Sequence, residues 1–228
     1  MSNFRSEAEL RELHRKILTA ATALFIQKGF ERTKITDIAK LSGVPKSKIL
    51  YVMNSKEEIL GNLVTKFLDG VSSASDAVSK KLTDDQVLIF IANEVLQLYM
   101  AEMNEDMRNL YLAGYSMPMT SEEVLKRRTD MMYKAFSKVF PEQELKDFYE
   151  NEIASMGIMR AYMTVPCDMY FTIEAKAKRL VTMLLRIYKA EDEKITEALE
   201  FIEKIDFEAV AKKAVQSVFD ELEIKAKN

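Results

Sequence analysis

An all-α fold, with an N-terminal three-helix module ahead of a larger helical bundle, is predicted by three features of the sequence. Glycine and proline number only six and four in 228 residues, too few turn-makers for a sandwich or barrel of many short strands. Apolar residues recur at the helical period over long stretches. Helix-start signatures repeat as Ser55-x-x-Glu58, Thr83-x-x-Gln86 and Thr120-x-x-Glu123, in which the first side chain and the fourth cap each other's backbone N–H.

The elements follow in order. Over 10–28, Ile17, Ala21, Leu24 and Phe25 share one helix face. Gly29 suits a left-handed cap, and Phe30 can fold back on the last turn. A second helix covers 35–42, with Ile38, Ala39 and Leu41 apolar, and ends at Gly43. A third runs over 45–53, with Pro45 at its first position, where the missing N–H costs nothing. Ile49 faces inward, with Val52 or Met53. From Ser55 one long helix reaches about Leu82. Its middle, Gly70-Val71-Ser72-Ser73-Ala74-Ser75, has weak helix propensity and reads as close packing of small residues, a break, or a hinge. Further helices open at Thr83, Thr120 and Pro141, the last stopping near Pro166, and Pro118 ends one more. The most regular stripes come late: Ile173, Ala177, Leu180, Val181, Leu184, Leu185 and Tyr188 within 172–190, then Phe207, Val210, Ala211, Ala214, Val215, Val218, Phe219 and Leu222 within 206–224. These are core stripes or a dimer interface; spacing does not separate the two. The expected division is 1–54 and 55–228.

Rare residues exclude several functions. There is one histidine (His14), one cysteine (Cys167) and no tryptophan. A His/Cys zinc site fails on ligand count, and a lone Cys suits a reducing cytoplasm. A His-dependent catalytic set would rest on His14, in the charged stretch ELRELHRK, so no enzyme and no cofactor is expected. No apolar run approaches the roughly 18 residues of a membrane span. The N-terminus carries Arg5, Glu7, Glu9 and Arg11 and is not read as a signal peptide.

Net charge is −3, but it is unevenly spread. Residues 1–66 hold 12 Lys/Arg against 7 Asp/Glu, a net of +5, and the remainder is −8. A basic module on an acidic body suggests a local phosphate-binding face. Two short helices joined through Gly43-Val44 make a helix-turn-helix, and the outer side of the third helix presents Lys46, Ser47, Lys48 and Tyr51. Such residues contact phosphates and base edges in a major groove.

The stretch ILTAATALFIQKGFERTKITDIAKLSGVPKSKILYVMNSKEEIL, residues 17–60, resembles the DNA-binding domain of the tetracycline-repressor (TetR) family of bacterial regulators. The matched positions are Phe25, Lys28-Gly29-Phe30, Thr33, Ile38-Ala39, Gly43-Val44, Lys46, Ile49 and Ser55-Lys56-Glu57-Glu58-Ile59, with no insertion. The resemblance implies a dimeric all-α regulator whose third helix enters the major groove of a double-stranded operator. It implies phosphate or base contacts by Thr36, Lys46, Ser47, Lys48, Tyr51 and Lys56. It also implies that two late helices, here 172–190 and 206–224, pair with their symmetry mates in a homodimer. The sequence departs from the pattern at Lys34, where a capping Ser or Thr is usual and Thr33 or Thr36 must substitute. It departs again at Pro45, Leu50, Val52 and Met53, where polar or aromatic residues are common.

Residues 99–170 hold 11 of the 14 methionines and 7 of the 9 tyrosines. Adaptable thioethers and polar-tipped rings suit a cavity for a small, largely apolar ligand. The candidates are Tyr99, Met103, Tyr111, Tyr115, Met132, Phe136, Met159 and Tyr162. The expected function is a ligand-released, sequence-specific repressor. The competing readings are a co-regulator of the same fold that binds a protein, prompted by Pro45, Leu50 and Val52, and a helical small-molecule carrier.

Overall fold

The computed structural model describes residues 7–222, so Arg5 and the last two positions of the 206–224 stretch lie outside it. The described residues form eleven α-helices and no strand. The first three are α1 (Glu7–Lys28), α2 (Ile35–Ser42) and α3 (Lys46–Met53), packed around Ile17, Phe25, Ile38, Ile49 and Met53. Then come α4 (Lys56–Ser79), α5 (Gln86–Glu102), α6 (Glu105–Ser116), α7 (Pro118–Phe136), α8 (Leu145–Thr164), α9 (Ile173–Ile187), α10 (Asp192–Ile202) and α11 (Phe207–Glu221).

The centre of the body is α5. From Val87 to Leu98 every residue is buried, and α4, α6, α7, α8, α9, α10 and α11 all touch it. A helix that is apolar on most of its circumference calls for such enclosure. Around it the stripes of α9 and α11 are spent inside the chain: Ala177, Leu180, Val181, Leu184, Leu185 and Tyr188 are buried, as are Phe207, Ala211, Ala214, Val215, Val218 and Leu222. α11 lies along α4. Most of the two stripes, predicted as dimer faces over 172–190 and 206–224, is therefore intrachain core, with Ile173, Val210 and Phe219 only partly buried.

Small residues in α4 do not break it. The helix is continuous through Gly70–Ser75. Gly70 has a packing reason, since a Cβ there would stand 2.8 Å from Val218 Cγ2. Asn93 of α5 donates to Ser72 Oγ at 3.2 Å, so small side chains let α4, α5 and α11 approach closely.

Several helix starts differ from expectation, each for a local hydrogen-bonding reason. Ser55 caps α4 by accepting from Glu58 N–H at 3.0 Å, as its pattern predicts. The cap of α5 is Asp85, which accepts from Val87 and Leu88 N–H, while Thr83 only accepts from Asp85 N–H. A carboxylate two residues later outcompetes the hydroxyl for the orphan amides. Thr120 lies inside α7, which Pro118 opens as well as following the end of α6. Pro141 sits in a turn, and α8 starts four residues later, with Asp147 accepting from Glu144 N–H at 2.7 Å. Pro45 is the residue before α3, not its first: φ is −57° and ψ 139°. Helix α10 lies between the two predicted stripes and was not expected; its Ile195, Ala198, Phe201 and Ile202 are buried.

Candidate functional site

The helix-turn-helix is built on one left-handed glycine. Gly43 has φ 69°, a conformation that costs other residues but not Gly. Val44 then turns into the core, its N–H donating to Ser42 Oγ at 3.2 Å. Ile49 and Met53 are buried and seat α3 against α2, whose Ile38 is buried with them. Phe25 and Phe30 meet edge to face at 5.2 Å. Gly29 also adopts a left-handed φ, 82°, and buried Thr33 donates to Gly29 O at 2.8 Å. Thr33 is therefore spent closing that turn and does not cap α2. Asp37 instead accepts from Lys34 N–H at 2.9 Å and pairs with Lys28. The Lys28 ammonium first, and the Lys34 amide second, hold the Asp37 carboxyl below its ordinary range.

With its inner face seated, α3 turns Lys46, Ser47, Lys48 and Tyr51 to the surface; Tyr51 is 61% exposed. Thr36 is exposed on α2. Leu50 and Val52 are half-buried, and Met53 fills the core where a ring is common. Lys56 is placed differently. Its Nζ donates to Phe30 O at 2.9 Å and lies 4.1 Å from the centre of the Phe30 ring. It ties the first turn of α4 to the turn after α1.

Among the described residues, the eight expected ligand residues are spread over different surroundings. Tyr99 and Met103 line an open cavity of about 600 Å³ with Glu102, Arg108, Cys167, Asp168, Thr172, Ile173, Glu174, Glu208, Ala211 and Lys212. That volume is in the range of small-molecule sites. Tyr111 and Tyr115 border a crevice with Val64, Phe67, Leu68 and Leu110 that leaves about 10 Å³ for solvent, too little for more than about one water; Tyr115 also lines an open cavity of about 420 Å³ with Leu125, Tyr149, Ile153 and Met156. Met132, Phe136 and Met159 are fully buried core. Tyr162 is half-buried, its hydroxyl donating to Met183 sulfur at 3.4 Å. A Met- and Tyr-rich composition thus fills the interior more than it lines a pocket, because flexible side chains pack irregular gaps well.

Periodicity gave no warning of the charged groups behind that cavity. Lys176 is wholly buried; it donates to Glu102 at 2.6 Å and to the carbonyls of Tyr162 and Val165. Glu102 also pairs with Arg108 at 2.8 Å and accepts from Cys167 N–H. Burial would raise the Glu102 carboxyl, but Lys176, the Cys167 amide and Arg108 outweigh it and hold it low. A second buried cluster crosses the centre. Arg128 donates to both oxygens of Glu94 and to Glu152, each at 2.7 Å, and Tyr188 donates to Glu152 at 2.5 Å. Only Asn93, Glu94 and Gln97, polar within the apolar run of α5, could have signalled it.

Residues 17–63 match the model of the family described as bacterial regulatory proteins, tetR family. The chain is 35% identical over 77 residues to a probable HTH-type transcriptional regulator, YttP, of Bacillus subtilis (strain 168), covering 32% of this chain and 37% of that protein. It is 33% identical over 76 residues to the HTH-type transcriptional regulator TtgR of Pseudomonas putida, covering 33% and 34%. The matched region thus spans little more than a third of these relatives' length. In fold it is similar to SmeT, the repressor of a Stenotrophomonas maltophilia multidrug efflux pump, with TM-score 0.55 and 16% identity over 76% of this chain and 88% of that one. It is also similar to RolR in complex with resorcinol, with TM-score 0.58 and 16% identity over 86% and 95%.

Proposed function

We infer, because this chain belongs to the TetR family of bacterial regulators, that it is a sequence-specific DNA-binding transcription regulator released from its operator by a small effector. The observation that carries the reading is α3: an eight-residue helix fixed by Ile49 and Met53 that presents Lys46, Ser47, Lys48 and Tyr51 outward. Residues 1–54 serve as the DNA-binding module and 55–228 as the body that takes the effector. Lys46, Ser47, Lys48 and Tyr51 contact phosphates and base edges, and Thr36 adds a contact from α2. Lys56 acts by orienting the module, since its ammonium is held on Phe30.

The functional unit in this reading is a two-fold dimer, with recognition helices one DNA turn apart, about 34–36 Å. The dimer surface falls on the outer face of α8 beside α9. Leu145, Tyr149 and Ile153 are large, apolar and exposed there, at a spacing of four, followed by exposed Gly157, and Met183 is exposed on α9. This keeps one of the two helices expected from sequence and replaces 206–224 by α8, because the α11 stripe is already buried.

The test is fluorescence anisotropy with DNA from upstream of the chain's own gene, across a salt series, against a scrambled duplex. Binding preferred by about 10³ or more over the control is the expected result. Lys46→Ala and Lys48→Ala should weaken binding and lower the salt slope by about 0.9 for each phosphate no longer neutralised. Failure to bind any duplex at low salt, with α-helical content intact, would overturn the reading.

A further inference from the structure

We propose that the cavity between α5, α6, α9 and α11 is a site for an aromatic or amphipathic cation, and that α11 carries its occupancy to the DNA-binding module. The inference rests on the regulatory reading and deepens it.

The chemistry of the cavity selects the cation. Its walls combine apolar groups, Tyr99, Met103 and Ile173, with the carboxylates of Asp168, Glu174 and Glu208. The Tyr99 ring packs on Phe207 at 5.5 Å, tilted by 31°, and offers a π face at which a cation is attracted. Arg108 pairs with Glu102 and Lys212 with Glu208, so these four charges offset one another, and the surplus lies with the remaining carboxylates. Asp168 and Glu174 make no ion pair among the described residues; Asp168 accepts from the Tyr170 and Phe171 amides at 2.8 and 2.9 Å, which leaves Glu174 as the carboxylate for a cation to meet. Burial first, then the negative charge of Glu174, pushes the Tyr99 hydroxyl up to about 12. A ligand anion would meet that same charge and be disfavoured.

The route to the DNA-binding module is a single helix. Glu208, Ala211 and Lys212, in the first half of α11, line the cavity. The other end of α11, about 20 Å away for a helix of this length, meets the DNA-binding side of the molecule. Thr19 of α1 donates to Leu222 O at 2.5 Å, and Lys66 of α4 pairs with Glu221. Between these ends Val218 packs on Gly70 of α4, without room for even a Cβ. A shift of α11 cannot be absorbed by slack at that contact, so it must be shared with α4 and α1.

The probe is tetraphenylphosphonium, with tetraphenylborate as a control of the same shape and opposite charge, titrated calorimetrically into the full chain. The cation should bind at least about tenfold more tightly than the anion, and Glu174→Gln should weaken it about fivefold. Met103→Trp, which fills the cavity from its rim, should abolish binding. Equal affinity for both ions, or cation binding untouched by both substitutions, would overturn the site. Coupling is read without DNA, by amide hydrogen exchange in α1 at saturating probe. Exchange across 17–25 should change in the parent chain but not in Thr19→Val, which should retain cation affinity. No change in the parent, or the same change in T19V, would overturn the route. A fall in anisotropy with an operator duplex would then link the site to regulation; absence of DNA binding under all conditions would sink the regulatory reading and leave the calorimetry intact.

Discussion

Replacing Arg128 by Met tests the energetics of the body most directly. The Arg128 side chain is 4% exposed and faces Glu94 at 1% and Glu152 at 0%. One cation thus serves two buried carboxylates, and its own Nη2 has no hydrogen-bond partner. Burial raises the Glu94 carboxyl above its ordinary value; Arg128 pulls against this and Glu152 adds to it. Removing the cation leaves two like charges in a nonpolar interior, a destabilisation of about 3–5 kcal/mol. For a chain of this length about 2–4 °C of melting temperature accompanies each kcal/mol, so Tm should fall by roughly 6–20 °C. The sign of the pH dependence follows from the direction of the shift. An acid whose folded pKa is raised contributes stability that is complete below its unfolded pKa and lost as pH rises through the folded one. Without Arg128 the Glu94 carboxyl moves further up, so the deficit should be larger at pH 8 than at pH 5. Circular dichroism melts at fixed chain concentration measure this. The triple variant R128M/E94Q/E152Q should recover much of the stability, because no uncompensated charge remains. A fall under about 2 °C, a deficit independent of pH, or a triple variant less stable than the single one would refute the reasoning.

Three further outcomes are expected. Gly70→Ala gains about 1 kcal/mol of helix propensity but overpacks Val218 by about 1–3 kcal/mol; it should destabilise the parent and stabilise the Val218→Ala background in urea titrations. Asp85→Ala removes the α5 cap at about 0.5–2 kcal/mol. Burial would raise that carboxyl, but Lys194 and the Leu88 and Val87 amides hold it below its ordinary value; its contribution is present above the usual carboxylate range and lost as pH falls, so the variant and parent should converge in acid. Ile49→Ala empties the seat of α3 at about 2–5 kcal/mol, and anisotropy should show DNA affinity falling although no DNA-facing side chain has changed.

Where the sequence was informative, the physics was local. The helix-turn-helix follows from Gly43, which permits a left-handed turn, and from Ile38 and Ile49, whose spacing puts them on facing helices. Ser55 and Glu58 capped α4 as their separation requires. These signals need only a few neighbouring residues, so they survive without knowledge of the rest of the chain. The start of α5 lies past Thr83 because Asp85 takes the orphan amides, and that of α8 lies past Pro141 because Pro141 sits in a turn and the helix opens where Asp147 accepts from Glu144 N–H. The α10 stripe of Ile195, Ala198, Phe201 and Ile202 is short beside the longer stripes on either side.

An all-α chain, a basic helix-turn-helix and the outward side of α3 were legible in the residues alone, because helical period and turn chemistry act over short distances. So was the set of stripes that must be buried, though not what buries them. Packing in three dimensions settled the rest: α9 and α11 bury most of their stripes within the chain, Lys56 is bound to Phe30, and the Met- and Tyr-rich segment divides between solid core and open cavities. Burial against another element and pairing between residues as distant as Glu102 and Lys176 depend on how helices cross, and crossing is set by the sum of all their contacts at once.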